Sequence, residues 1–305
     1  MPVVDPEEAI RIPGPWSHRD VSANGARFHV VEAGEGPAVV LLHGFPTYWW
    51  TWRRQLTALA DAGYHAIAMD LRGYGGSDHT PHGYDPRTLS ADVAAVIRCL
   101  GESDAIVIGH GWGGLIAWSM AVLEPDVVRG IVAVSTPHPR VMRRAAWRPR
   151  QFGRLGYLGG FQLPFLPENS FMKNEGQRIT DLLTDWSISD DWIAESGDMY
   201  RSAFLRWPTA HTAIEYHRWS VRSILRPDGI RYMTVMSAPV NTNVLHIQGA
   251  DDPMVLASSC EGSGDYVRGD YSFVTLPTGH FPHEENPPAF TELIIGWLAR
   301  QRHPR

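Results

Sequence analysis

A chain of 305 residues with 44% hydrophobic content can bury a large core and sits near the size at which a single core divides, so one domain with a sizeable insertion is expected. The formal charge of −6, with basic residues spread along the chain, offers no stripe for a phosphate backbone and argues against a nucleic-acid partner. Cys99 and Cys260 lie far apart without metal-ligand spacing, which argues against a disulfide framework or a zinc site and for a reducing, cytoplasmic location.

The start, MPVVDPEEAI, is acidic and carries no apolar leader, and no apolar run approaches the roughly 20 residues of a membrane span, so a protein neither exported nor membrane-inserted is expected. Residues 16–34 alternate around Asn24-Gly25, a dipeptide suited to positive φ, and read as a hairpin of two edge strands. Apolar strand-sized runs follow at 38–42, 65–71, 105–109 and 127–135, and helical patterns fall near 50–62, 86–100 and 112–123. Buried strands alternating with helices predict an α/β fold with a parallel sheet covered on both faces.

The alternation stops near Thr136-Pro137-His138-Pro139 and resumes with strands near 243–248 and 271–276 and a helix over 287–302. The segment between is helical in pattern and crowded with rings, among them Trp147, Tyr157, Phe161, Phe165, Phe171, Trp186, Phe204, Trp207 and Tyr216. These rings are either the core of a helical subdomain or the underside of a lid over the sheet's carboxyl ends, where such sheets bind ligands.

Three elements carry the chemistry, the third split between two stretches. Gly109-His110-Gly111-Trp112-Gly113-Gly114 lies between a strand and a helix, the context of a nucleophile elbow, in which flanking glycines let the two backbones approach. It completes neither the dinucleotide-binding glycine spacing nor a phosphate loop. His43-Gly44-Phe45-Pro46 ends the 38–42 strand and looks like half of an oxyanion hole, with the Trp112 N–H as the other half at a helix N-terminus. Asp251-Asp252 after one late strand, and His280 after the next, supply an acid and then a base. No ligand cluster or nucleotide fingerprint occurs, so neither a metal nor an organic cofactor is implied.

HGFP with the aromatic run from Tyr48 to Arg53, the segment DLRGYGGSD from Asp70, and the GHxWGG turn together resemble the epoxide hydrolases of the α/β-hydrolase superfamily. The resemblance covers about residues 27–299 and is strongest in the first half; haloalkane and haloacetate dehalogenases share much of it. It implies an α/β-hydrolase fold, a mostly parallel eight-stranded sheet flanked by helices, with a helical cap inserted after strand 6: core 1–137 and 238–305, cap 138–237. It implies hydrolysis of a small lipophilic epoxide through a carboxylate nucleophile, lid tyrosines that protonate the opening oxygen, and a His–Asp pair that activates water. By position the pair is His280 with Asp252, preferred to Asp251 because it stands three residues after Gly249. Tyr216 matches one lid tyrosine, and the other falls at Phe161. Phe45 and Trp112 form the oxyanion hole, Trp112, Phe161, Tyr216 and Trp50 contact substrate, and His110 and His283 are structural neighbours.

This sequence departs from the family at the nucleophile, which is Gly111. No covalent ester can form there, while the fold loses nothing, because glycine relaxes an elbow held in unfavourable backbone angles. Ser135 and Thr136 end a strand nearby but occupy no elbow. One reading is a weak hydrolase in which His280 and Asp252 activate water directly. Another is a catalytically silent relative that binds a small apolar ligand. A third takes the sequence as an engineered or natural variant of an aspartate-bearing parent.

Overall fold

The computed structural model describes residues 4–301; Met1, Pro2, Val3 and the last four residues, with Arg302 of the expected C-terminal helix and the outer ends of both expected core segments, lie outside the described residues. Eight strands, β1 (Ser17–Ala23), β2 (Ala26–Ala33), β3 (Ala38–Leu42), β4 (His65–Met69), β5 (Ala105–His110), β6 (Val128–Val134), β7 (Asn243–Gly249) and β8 (Tyr271–Leu276), form one sheet. Its order is β1-β2-β4-β3-β5-β6-β7-β8. The two pairings of β2 are antiparallel and the rest are parallel. Every residue of β3 and β5 is buried, as uninterrupted apolar strands covered on both faces must be. Among the described residues, no helix is long and apolar enough to cross a membrane.

The opening hairpin turns through Asn24 and Gly25, both at positive φ. One expectation is corrected: of the two hairpin strands only β1 is an edge, because Val30–Ala33 of β2 pair with β4 and bring β2 inside the sheet.

The chain steps from β3 to β4 in one direction, returns across β3 to β5, and continues the other way to β6. Loops after β3 and β5 therefore diverge from adjacent strand ends, the place where open α/β sheets leave a crevice. Leu42 stands opposite Gly109, and Gly109 opposite Ala133, so the ends of β3, β5 and β6 reach one rim in register.

Between β6 and β7 the chain forms the helices Pro139–Ala145, Pro149–Arg154, Tyr157–Phe161, Leu166–Met172, Gln177–Trp186, Asp191–Leu205, Thr209–Arg222 and Pro227–Val235. Their inner faces bury Phe161, Phe171, Trp186, Tyr200, Phe204 and Tyr216. Trp147, Phe165 and Trp207 are outside that core at 69%, 76% and 83% exposure, so the ring-rich composition overstates it.

Backbone proximity fixes the turn between β5 and the helix Trp112–Leu123. A Cβ at Gly109 would lie 2.1 Å from the Gly113 carbonyl oxygen, and one at Gly113 would lie 2.2 Å from that of Leu42. A Cβ at Gly111 meets nothing closer than the Gly44 Cα at 3.6 Å, although φ there is +54°. Gly109→Ala and Gly113→Ala are therefore expected to lose about 3 kcal/mol or more of unfolding free energy by overpacking. Gly111→Ala should lose only about 1–2 kcal/mol from backbone strain. Urea denaturation of the three variants checks the order, and equal losses would contradict it.

Candidate active site

Gly111 sits at φ 54°, ψ −114°, the N-cap of the helix Trp112–Leu123, in a conformation that only glycine holds at little cost. Its N–H donates to Val134 O and its carbonyl accepts from Leu115 N and Thr136 Oγ1, so the turn is pinned to β6. Facing it is the loop after β3. His43 Nε2 accepts from Leu71 N–H, which leaves the proton on Nδ1 to donate to Gly44 O. Burial holds this imidazole below its usual pKa, so it is neutral and rigid under the loop. The N–H groups of Phe45 and Trp112 have no acceptor among the described residues, as two donors of an oxyanion hole require.

His280 Nδ1–H donates to Asp252 Oδ2 at 2.8 Å. Asp252 is fixed in turn by Gln248 Nε2 and by the N–H groups of Met254 and Val255. Asp251 is exposed, so the structure brings the second carboxylate of the pair to the histidine. The His280 backbone is held at both ends. Its N–H donates to Trp186 O, and its carbonyl accepts from His110 Nε2 and Ser135 Oγ. Glu285 adds a strap, accepting from the N–H groups of Gly279, Phe281 and Ile188. His280 Nε2 is left without a partner, 4.0 Å from where a Cβ on Gly111 would be.

His110 and His283 take the structural places expected of them. Burial pushes both well below the usual imidazole range, helped by His283 and His280 at His110 and by His280, Arg53 and Arg54 at His283, and His283 Nε2 pairs with Thr51 Oγ1. Ser135 Oγ and Thr136 Oγ1 are committed to backbone carbonyls.

Two residues expected to contact substrate are engaged elsewhere in this structure. Tyr216 donates its hydroxyl to Arg72 O at 2.6 Å and is buried among Tyr74, Tyr84 and Trp112. Its helix neighbour His217 faces the site instead, turned by about 100°. The His217 ring lies 4.7 Å from that of Phe45 and 5.2 Å from that of Phe161, and its Nε2 accepts from Trp112 Nε1. Burial pushes His217 down to about 4, so it is neutral. Trp50 packs on Trp16, Trp49 and the Arg53 guanidinium, in a cluster at the N-terminal hairpin.

Sequence reasoning passed over Tyr157 and Trp186. Tyr157 packs on Phe161, Trp186 and His217, and burial followed by the Asp252 charge raises its pKa, which places a neutral phenol beside the acid–base pair. Its spacing of four from Phe161 on a helical pattern was the available signal. Trp186 lies 5.7 Å from His280 and 6.0 Å from Phe45, ring to ring. The Phe161 ring lies 5.8 Å from that of Phe45, and Trp112 follows Gly111 as the first residue of its helix.

The alpha/beta hydrolase fold family matches residues 37–287. The chain is 40% identical to epoxide hydrolase A of Mycobacterium tuberculosis (strain ATCC 25618 / H37Rv) over 322 residues, covering 93% of this chain and 98% of that protein. The crystal structure of epoxide hydrolase A from Mycobacterium thermoresistibile superposes with a TM-score of 0.81 at 29% identity, covering 93% of this chain and 98% of that one. A mutant epoxide hydrolase from Bacillus megaterium, complexed with its product (R)-3-[1]naphthyloxy-propane-1,2-diol, superposes at 0.82 with 25% identity, covering 92% of this chain and all of that one.

Glu285→Ala strips three backbone N–H groups of their acceptor. It is expected to reduce stability by about 2–4 kcal/mol, and to displace His280 where the fold survives. Thermal unfolding together with the His280 ring resonances checks this, and an unmoved imidazole would contradict the strap.

Proposed function

The chain belongs to the epoxide hydrolase family of the α/β-hydrolase superfamily, and we propose that it hydrolyses a small lipophilic epoxide by direct attack of water activated by His280 and Asp252. The supporting observation is the free Nε2 of His280, aimed at the vacant side-chain position of Gly111 and backed by Asp252 through Nδ1. A water there is held by Nε2 and by the Phe45 and Trp112 N–H groups, which meets the two to four polar partners a buried water needs. His280 takes its proton as the oxygen attacks an epoxide carbon, and Asp252 stabilises the imidazolium. The opening oxygen takes a proton from Tyr157, whose raised pKa keeps it protonated. Tyr216 is not assigned this role, since its hydroxyl is bonded to Arg72 O.

The helices of 138–237 serve as the lid in this reading, because Tyr157, Phe161, Phe171, Trp186, Phe204 and His217 close over the site side of the sheet. Phe45 is their common centre, in ring contact with Phe161, Phe171, Trp186, Phe204 and His217. This apolar wall suits a lipophilic substrate like the naphthyloxy diol bound by the Bacillus megaterium relative. A second reading, ligand binding with no turnover, is favoured by Gly111 itself, which removes the covalent route.

Diol formation from aryl and alkyl epoxides separates the two. Turnover is expected to be weak, to vanish in His280→Ala, and to fall about 10- to 100-fold in Tyr157→Phe. Gly111→Asp is expected to raise it by roughly 10⁴-fold or more, the scale of a missing nucleophile. Turnover untouched by His280→Ala would sink the hydrolase reading. Absence of turnover, with a melting temperature raised by apolar ligands, would establish the binding one.

A further inference from the structure

At Gly111 the structure leaves a converging set of unmet polar groups. A Cβ there would lie 3.6 Å from the Gly44 Cα and 4.0 Å from His280 Nε2, with nothing nearer. His280 is 7% exposed, and its Nε2 has no partner because Nδ1 is the atom that meets Asp252. The N–H groups of Phe45 and Trp112 are also unsatisfied, and Trp112 begins a twelve-residue helix whose N-terminal dipole favours negative charge. Two fixed donors, a helix N-terminus and a buried imidazole around one vacant side-chain position describe the needs of a carboxylate that is not covalently attached.

We propose that the cleft at Gly111 is a seat for a small monocarboxylate taken from solution, formate or acetate, which stands in the missing side chain's place and acts as the nucleophile. This rests on the hydrolase reading above, with the carboxylate taking the place of the directly attacking water and His280 activating water only in the second step. One carboxylate oxygen attacks an epoxide carbon. The new C–O bond forms as the ring C–O bond breaks, and the electron pair left on the ring oxygen takes the Tyr157 proton. The product of this half-reaction is a hydroxyalkyl ester. His280 then removes a proton from water as that water adds to the ester carbonyl, whose oxygen carries its charge against the Phe45 and Trp112 N–H groups. The acyl C–O bond breaks, the departing diol oxygen takes the proton from His280, and the carboxylic acid returns its own proton to the Tyr157 phenolate. Epoxide and water become diol, and the carboxylate is regenerated. The seat has the place of one short carboxylate side chain, with the Gly44 Cα 3.6 Å and His280 Nε2 4.0 Å from its root, so small unbranched acids are expected to serve better than branched ones.

Diol formation from styrene oxide is measured with formate, acetate or pivalate at equal ionic strength, and the product of the formate reaction is weighed after use of doubly 18O-labelled formate in ordinary water. A saturable rise of about tenfold or more is expected with formate, since a free carboxylate recovers only part of what a tethered one supplies. A smaller rise is expected with acetate and none with pivalate. The diol should carry 18O, because hydrolysis cleaves the acyl bond and leaves the attacking oxygen on the substrate. Gly111→Asp, which has its own carboxylate, should turn over without responding to formate. If Gly111→Asp is active but formate gives no rise, a rise matched by pivalate, or unlabelled diol, the seat is overturned and the hydrolase reading stands. If neither protein turns over, both fall.

Discussion

The backbone contact between β5 and the helix Trp112–Leu123 is the constraint on which the site depends. Gly109 and Gly113 approach so closely that neither position has room for a Cβ. Leu42 at the end of β3 lies against the same helix start, so three elements meet with no side chain between them. From that contact the residue between strand and helix must turn through a positive φ, and the first helical N–H must project into the crevice where β3 and β5 diverge. Geometry at Gly111 is thus a consequence of packing two residues on either side of it. A glycine at the centre keeps the turn and relaxes it, and the arrangement of donors does not depend on what side chain is carried there.

His280 is positioned by a different set of forces, which run through the helical insertion as well as the sheet. Its N–H is held by Trp186 O at the end of the helix Gln177–Trp186, while Glu285 ties Gly279 and Phe281 to Ile188 beyond that helix. The carbonyl is held from below by His110 and Ser135. Base and insertion are therefore one mechanical unit.

How much of this was legible in the sequence follows from what each pattern encodes. The strands β3 and β5 are legible to within a residue because an uninterrupted apolar run flanked by turn residues has few other uses. The elbow is legible because clustered glycines after such a strand demand a close approach, and Asp252 through the spacing from Gly249 that the family resemblance implies. Lid residues are not. On a helix each step turns the side chain by about 100°, so assigning Tyr216 in place of His217 moves the functional group to another face. Tyr157 and Phe161 share a face, and sequence alone does not say which of them touches the acid–base pair. Trp50 is hard to place for another reason: a run of four aromatics has rings on every side, and its partner Trp16 comes from a segment distant in sequence.

The pair Asp252–His280 bears on whether the site is a relic. A buried carboxylate–imidazole pair is a poor source of stability, since desolvation offsets most of the attraction. Here the carboxylate has three further donors and the imidazole backbone has three more hydrogen bonds, all spent on presenting one unpaired nitrogen to a vacant position. The nitrogen itself is left without a protein partner, while the rest of the histidine is held in place. The neighbouring N–H groups of Phe45 and Trp112 are in the same condition. Three groups without partners therefore surround the position that the glycine leaves open.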